Sequence, residues 1–282
     1  MVAEPATRQV PFPRRELLLR TASGVVLAAA TLAMTWWGLT SFALLVGAIA
    51  LILLWEWAHL TSGTGFTPVR LLAGACILAA IALTVAGRPG LGVLLVATGA
   101  LAAAFDSSRG SRVMQSAGIL YAGLPAVSLL WIRSDADYGF KGIVLLLIIV
   151  WATDTGAFVA GRSIGGPRLW ARVSPNKTWS GLVGGVCAAA IGAWLYVTAL
   201  GGEAGVKLVV LAGVLALVSQ MGDLVESSLK RAYGAKDASQ LIPGHGGFMD
   251  RVDGLVFAAV AAAAFAALAG AAQPARTLLG LG

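Results

Sequence analysis

Hydrophobic positions in this chain come in long unbroken runs, not in the alternation of a half-buried strand or the single stripe of a soluble helix. Nine such segments lie at about 21–37, 40–58, 69–86, 90–105, 114–132, 142–161, 180–200, 205–224 and 254–272. A helix needs about 20 apolar residues to cross a hydrocarbon core about 30 Å thick, and these runs approach or meet that length. Inside lipid each backbone N–H must bond within its own segment, so the runs predict helices. The pattern predicts an all-α, polytopic transmembrane helical bundle with about nine crossings. The first two runs are close enough for a tight hairpin, and the fourth is short and flanked by Arg88 and Arg109, so eight or ten crossings stay open.

Composition agrees. Of 282 residues, 58% are hydrophobic and 12% charged, against about 25% charged in soluble domains. The net charge of +7 would suit nucleic acid in a soluble protein; among apolar helices, cationic loops report orientation and anionic headgroups. Membrane lipid is therefore the expected partner, and nucleic acid is not. With the N-terminus in the cytoplasm, only Arg88, Arg133, Lys141, Lys207 and Arg276 fall outside, leaving 15 of the 20 Lys and Arg inside. The positive-inside rule thus places the polar stretches 162–179 and 225–253 in the cytoplasm, where nucleotides are.

The expected organisation is a basic tail (1–20), N-terminal transmembrane helices (21–140), a catalytic transmembrane region (141–273) and a short tail (274–282). The first run continues through two crossings without a clear cleavage site, so the tail is expected to be retained. Cys76 and Cys187 lie in apolar segments, where small buried thiols are expected, neither disulfide-bonded nor metal-bound. Gly181 and Gly185 stand four apart, a spacing that lets helices approach closely in lipid.

The densest polar cluster runs from Gly222 to Asp253. Asp223, Asp250 and Asp253 are hard oxygen ligands of the kind Mg²⁺ takes while keeping waters and substrate phosphates. Lys230, Arg231, Lys236 and Arg251 suit triphosphate oxygens. The segment Pro243 to Gly247 sets His245 among three glycines, so that Gly246 and Gly247 can bring backbone N–H groups to a phosphate. Asp223 and Ser227 share a helical face. An acid at the depth of Asp223 is costly unless it pairs or binds.

A second cluster runs from Asp154 to Lys177. Asp154 falls within a crossing, where a carboxylate is functional by default or pairs with a buried cation. Ser174 and Pro175 stand where a helix could start, with Lys177 adding a cation for a phosphate there. Glu56, between Trp55 and Trp57, reads as an acid snorkelling through an aromatic belt.

From Ser227 to Asp253 the chain reads S-x-L-K-R-x4-K-D-x-S-x2-I-P-x-H-G-G-F-x-D-R-V-D, which resembles the signature of phosphatidate cytidylyltransferases. The stretch D-x-x-A-F from Asp154, Gly161-Arg162 and S-P-x-K-T-x-x-G from Ser174 is similar to that family's other polar segment, with Asn176 and Ser180 departing from the usual Lys and Glu. With the apolar scaffold, the likeness covers most of residues 20 to 272.

The resemblance implies a Mg²⁺-dependent reaction of CTP with phosphatidic acid, giving CDP-diacylglycerol and pyrophosphate in phospholipid biosynthesis. It implies Asp223 and Asp250 as metal ligands, with Asp253 a further candidate, a second cation left open, and a homodimer by analogy. The setting would be the bacterial inner membrane, with the active site facing the cytoplasm. Asp154, Lys230 and Arg231 join the catalytic set; Ser174, Lys177, Ser227, Lys236, His245, Gly246, Gly247 and Arg251 are the expected phosphate contacts. The rivals are another CTP-using lipid enzyme, such as a polyprenol kinase, and a transporter using Asp154 and Asp223 as a relay.

Overall fold

The computed structural model describes residues 14–63, 67–105, 111–242 and 246–281. They form helices α1 (Arg14–Trp37), α2 (Leu39–Ser62), α3 (Pro68–Val85), α4 (Pro89–Phe105), α5 (Arg112–Arg133) and α6 (Gly139–Ile164). A two-stranded antiparallel hairpin follows, β1 (Arg168–Trp170) and β2 (Ser174–Thr178), and then α7 (Trp179–Ala199), α8 (Val206–Ala232), α9 (Met249–Leu268) and α10 (Pro274–Leu278). All nine apolar runs are helical. Seven of these helices, α2, α3 and α5 to α9, are long and apolar enough to cross a membrane; α4 and the apolar stretch Gly24–Trp37 of α1 are shorter. The protein is a polytopic helical membrane protein.

Helix α5 is the centre of the first half, touching α2, α3, α4, α6 and α9. The indole N–H of Trp57 on α2 donates to Met114 O at 2.7 Å, and its ring lies over Gly118 of α5. A Cβ at Gly118 would come within 2.5 Å of that ring, so glycine is what lets the two helices meet. In the second half, α6 and α7 pack backbone against backbone. A Cβ at Gly185 would lie 2.8 Å from Thr153 O, one at Gly181 2.9 Å from Ala157 O, and one at Gly184 would collide with Ala160. The Gly181 and Gly185 spacing is thus a packing device, as expected.

Outward faces carry exposed Leu44, Leu72, Val183, Ile191, Leu195 and Val210, a surface suited to hydrocarbon. Cys187 is also exposed, against the expectation of a buried thiol, because its helix turns that face outward.

The polar stretches differ from plain loops. Helix α8 continues past its apolar run to Ala232, and α9 begins at Met249, so only 233–248 connects them. Charge pairing at helical spacing, Glu226 with Lys230, sustains the extra turns. Helix α7 does not start at Ser174: residues 174–178 are strand β2, and Thr178 is the N-cap, its hydroxyl accepting from Gly181 N at 3.1 Å.

Candidate active site

The ends of α2, α6 and α8 and the starts of α7 and α9 gather on one side of the bundle. Asp154 lies ten residues before the end of α6, about 15 Å into the helix. Past that end, Gly165 (φ 67°) and Gly166 (φ 102°) reverse the chain in conformations that side chains resist, and the hairpin folds back over the α6–α7 seam. Ser180 Oγ donates to Gly165 O at 2.5 Å and Trp179 N to Pro167 O at 3.1 Å, closing that turn.

Strand β2 thereby carries Lys177 across to α8, where its Nζ stands 2.5 Å from Asp223 Oδ2. Ser227, one turn on, donates to Asp223 Oδ1 at 3.2 Å, and Gln220 Nε2 reaches Asp154 Oδ1 at 3.4 Å. These elements surround a cavity of about 340 Å³ lined by Asp154, Ser174, Asn176, Lys177, Thr178, Gln220 and Asp223. Ala157, Phe158 and Leu182 form its apolar wall, with Phe158 65% exposed on the outer surface. Asp253 on α9 lies within electrostatic reach of Asp223, Asp154 and Lys177; Arg251 is within reach of Asp154.

A second cluster joins α8 to α9. Lys230 Nζ lies 2.7 Å from Glu226 Oε2 and 2.5 Å from Asp250 Oδ1, bridging two nearly buried carboxylates. Asp250 Oδ2 accepts from Ala238 N at 3.0 Å and Gly247 N at 2.8 Å. The helices come this close because Gly222 lies under Asp253 O and Phe257, and Gly254 under Ser219 Oγ.

Glu56 belongs to this cluster too. It is fully buried, and its carboxylate accepts from Ser239 Oγ at 2.5 Å, Phe248 N at 2.9 Å and Met249 N at 2.6 Å. It is no snorkelling acid: helix α2 is pinned to α5 by Trp57, which turns Glu56 inward onto the start of α9.

A model described as the cytidylyltransferase family matches residues 18–269. The chain belongs to this family. It is 40% identical over 253 residues to a phosphatidate cytidylyltransferase of Brucella suis, covering 89% of this chain and 94% of the relative. Proteins of the same name from Bacillus subtilis (37% over 139 residues; 49% of this chain, 52% of the relative) and Haemophilus influenzae (40% over 129 residues; 44% and 45%) match shorter stretches. As a cytidylyltransferase-family member the protein is a nucleotidyltransferase, and the transporter reading is set aside.

The cytidylyltransferase fold brings Asp154, Ser174, Lys177 and Asp223 to one cavity and sets Ser227 beside Asp223. Lys230 and Asp250 pair with each other instead of lining that cavity. Arg231 is exposed and donates to Ala235 O at 3.3 Å; Lys236 is exposed as well. Gly246 takes a positive φ of 82°, but Gly247 N donates to Asp250, so that N–H is satisfied by a protein carboxylate where a phosphate was expected. His245, with Arg8 and Arg109, lies outside the described residues.

Sequence reasoning missed Gln220 and the inward placement of Glu56, and did not pair Glu226, three residues past Asp223, with Lys230. For Glu226 the signal was present in the four-residue spacing to Lys230; for Glu56 it was an acid near the end of an apolar run.

The carboxylates suit a divalent cation by their chemistry. Asp154, Asp223 and Asp253 put three acids within electrostatic reach of one another, and the ammonium of Lys177 already sits against one of them as a cation. Among the described residues no three His, Cys, Asp or Glu side chains converge closely enough to hold an ion alone.

Proposed function

We propose that this enzyme transfers the cytidylyl group of CTP to phosphatidic acid, producing CDP-diacylglycerol and pyrophosphate for phospholipid biosynthesis, at the bacterial inner membrane with its site toward the cytoplasm. The observation that carries the reading is the cavity between α6, β2, α7 and α8. Its polar wall holds Asp154, Lys177 and Asp223, and its apolar wall holds Phe158 and Leu182 beside the outer face. Such a site matches a substrate with an anionic head and a hydrocarbon tail, and its volume falls within the roughly 300–1,000 Å³ of small-ligand pockets. Relatives named phosphatidate cytidylyltransferase support the same choice.

In the reaction a phosphate oxygen of phosphatidic acid attacks the α-phosphorus of CTP, and the bond from that phosphorus to the bridging oxygen of pyrophosphate breaks. The attacking phosphomonoester is already largely ionised near pH 7, so no strong general base is required. Catalysis then rests on alignment and on stabilising charge on the leaving group. Lys177, Ser174, Ser227 and Arg251 orient phosphates at the mouth of the cavity. Asp223 would be the principal ligand for Mg²⁺, with Asp253 and, once released from Lys230, Asp250 at the start of α9 completing the carboxylate set and Asp154 supporting the site. Bound Mg²⁺ supplies charge neutralisation on phosphate oxygens.

The acceptor is tested by offering the purified protein CTP with phosphatidic acid, diacylglycerol or a polyprenol. Labelled CDP-lipid from phosphatidic acid alone supports the reading; phosphate transfer to a polyprenol would replace it with a kinase.

A further inference from the structure

Helix α9 presents a problem at its first turn. A helix start leaves four backbone N–H groups without partners inside the helix. Here the N-cap residue is Phe248, in helical conformation and with no side chain able to cap. The cap comes instead from another helix: Glu56 of α2 accepts from both Phe248 N and Met249 N. A buried carboxylate is costly unless hydrogen-bonded, and a helix N-terminus is a favourable place for negative charge. The third donor, Ser239 Oγ, ties the connecting segment to the same carboxylate.

Asp250 holds the same segment from the other side. It takes Ala238 N and Gly247 N, the neighbours of Ser239 and Phe248. The two stretches 238–239 and 247–249 are thus each gripped by both carboxylates. Gly247 fits between them only because it lacks a Cβ, which would collide with Glu56 Oε1 and lie 2.9 Å from Ser239 Oγ.

We infer that Glu56 is a positioning residue of the active site: its carboxylate fixes the start of α9 and thereby the placement of Asp250. Glu56 does not line the cavity and is fully buried, so it acts through that segment alone. Its own position is rigid, since the adjacent Trp57 is locked onto Met114 and Gly118 of α5. The effect on turnover rests on the proposed cytidylyl transfer; the effect on the start of α9 does not.

The test uses the full chain in detergent, wild type beside Glu56→Gln, which keeps the size and loses the charge. Amide exchange at 246–250 and the thermal midpoint are measured together with kcat, the KM for CTP and the Mg²⁺ concentration giving half-maximal rate. The expected result is faster exchange at Phe248 and Met249, a fall in kcat of about 10-fold or more per folded molecule, and a several-fold higher Mg²⁺ requirement, because small misplacements of catalytic groups cost this much. Unchanged exchange at these amides, or unchanged kcat and Mg²⁺ dependence in an active wild type, overturns the inference. Where Glu56→Gln fails to fold, Ser239→Ala decides by the same readouts, with smaller effects expected and none overturning it. A wild type that does not turn over CTP and phosphatidic acid refutes the proposed function, and the exchange data still decide the role of Glu56.

Discussion

The ammonium of Lys177 lies 2.5 Å from Asp223 Oδ2, joining a strand of the α6–α7 hairpin to the middle of a membrane-length helix. The side chains are 19% and 29% exposed, so the pair is partly shielded and faces the cavity. A cation held there compensates acids that otherwise repel, and it is the kind of group that meets a substrate phosphate.

Lys177→Met is therefore expected to lower kcat/KM for CTP by about 100-fold, in line with loss of a charge-stabilising group at a transferring phosphoryl centre. Lys177→Arg should recover part of it. Steady-state kinetics on folded protein check this, and wild-type values for Lys177→Met would remove Lys177 from the site.

Lys230 is a different kind of cation. It bridges Glu226 and Asp250, whose side chains are 0% and 6% exposed. Lys230→Met leaves two buried carboxylates facing each other, and breaking such a pair costs about 3–5 kcal/mol. The thermal midpoint in detergent should fall clearly, and Glu226→Gln, which removes one charge of the pair, should cost less.

The α6–α7 seam sets where the hairpin sits. Gly184→Leu places a side chain where even a Cβ collides with Ala160. The expected result is poor recovery of folded protein or a lower thermal midpoint, whereas Val183→Leu, on an exposed outer position, should be tolerated. Size-exclusion profiles and thermal scans compare the two.

The scaffold was readable from the sequence because lipid imposes one rule on every crossing, so length and apolarity alone locate the helices. Asp154 and Asp223 were legible for the related reason that charge inside an apolar run needs a partner, and Lys177 as a phosphate-seeking cation in the polar stretch after α6. The hairpin was not. Ser174-Pro175 reads equally as a helix start, and only pairing with β1 turns it into a strand while Thr178 takes the capping role. Glu56 was misread because flanking tryptophans suit an interface, and nothing local reveals that α5 fixes which way its helix faces. The glycines of the His-Gly-Gly segment suggested a phosphate cradle; the close approach they permit at Gly247 is to Glu56, and the Gly247 amide goes to Asp250.

The attacking phosphate brings its own pH dependence. A phosphomonoester has its second pKa near 6, and the dianion is the better nucleophile. The chemical step should therefore slow as pH falls through about 6 and level off above 7 or so, as long as the enzyme stays folded. Single-turnover rates across that range, with folding monitored in parallel, show the trend; a rate that rises toward acid would contradict attack by the ionised phosphate.

The most direct measurement is turnover of labelled CTP with phosphatidic acid by wild type and Asp223→Asn in detergent micelles, with Mg²⁺ or EDTA, scored for CDP-diacylglycerol and pyrophosphate. Equal amounts of both products from wild type with Mg²⁺, and near-background product from folded Asp223→Asn and from EDTA-treated enzyme, are predicted. Product formation by Asp223→Asn at wild-type rates would contradict a site built on the Lys177–Asp223 cavity, and no use of CTP by the wild type would contradict cytidylyl transfer itself.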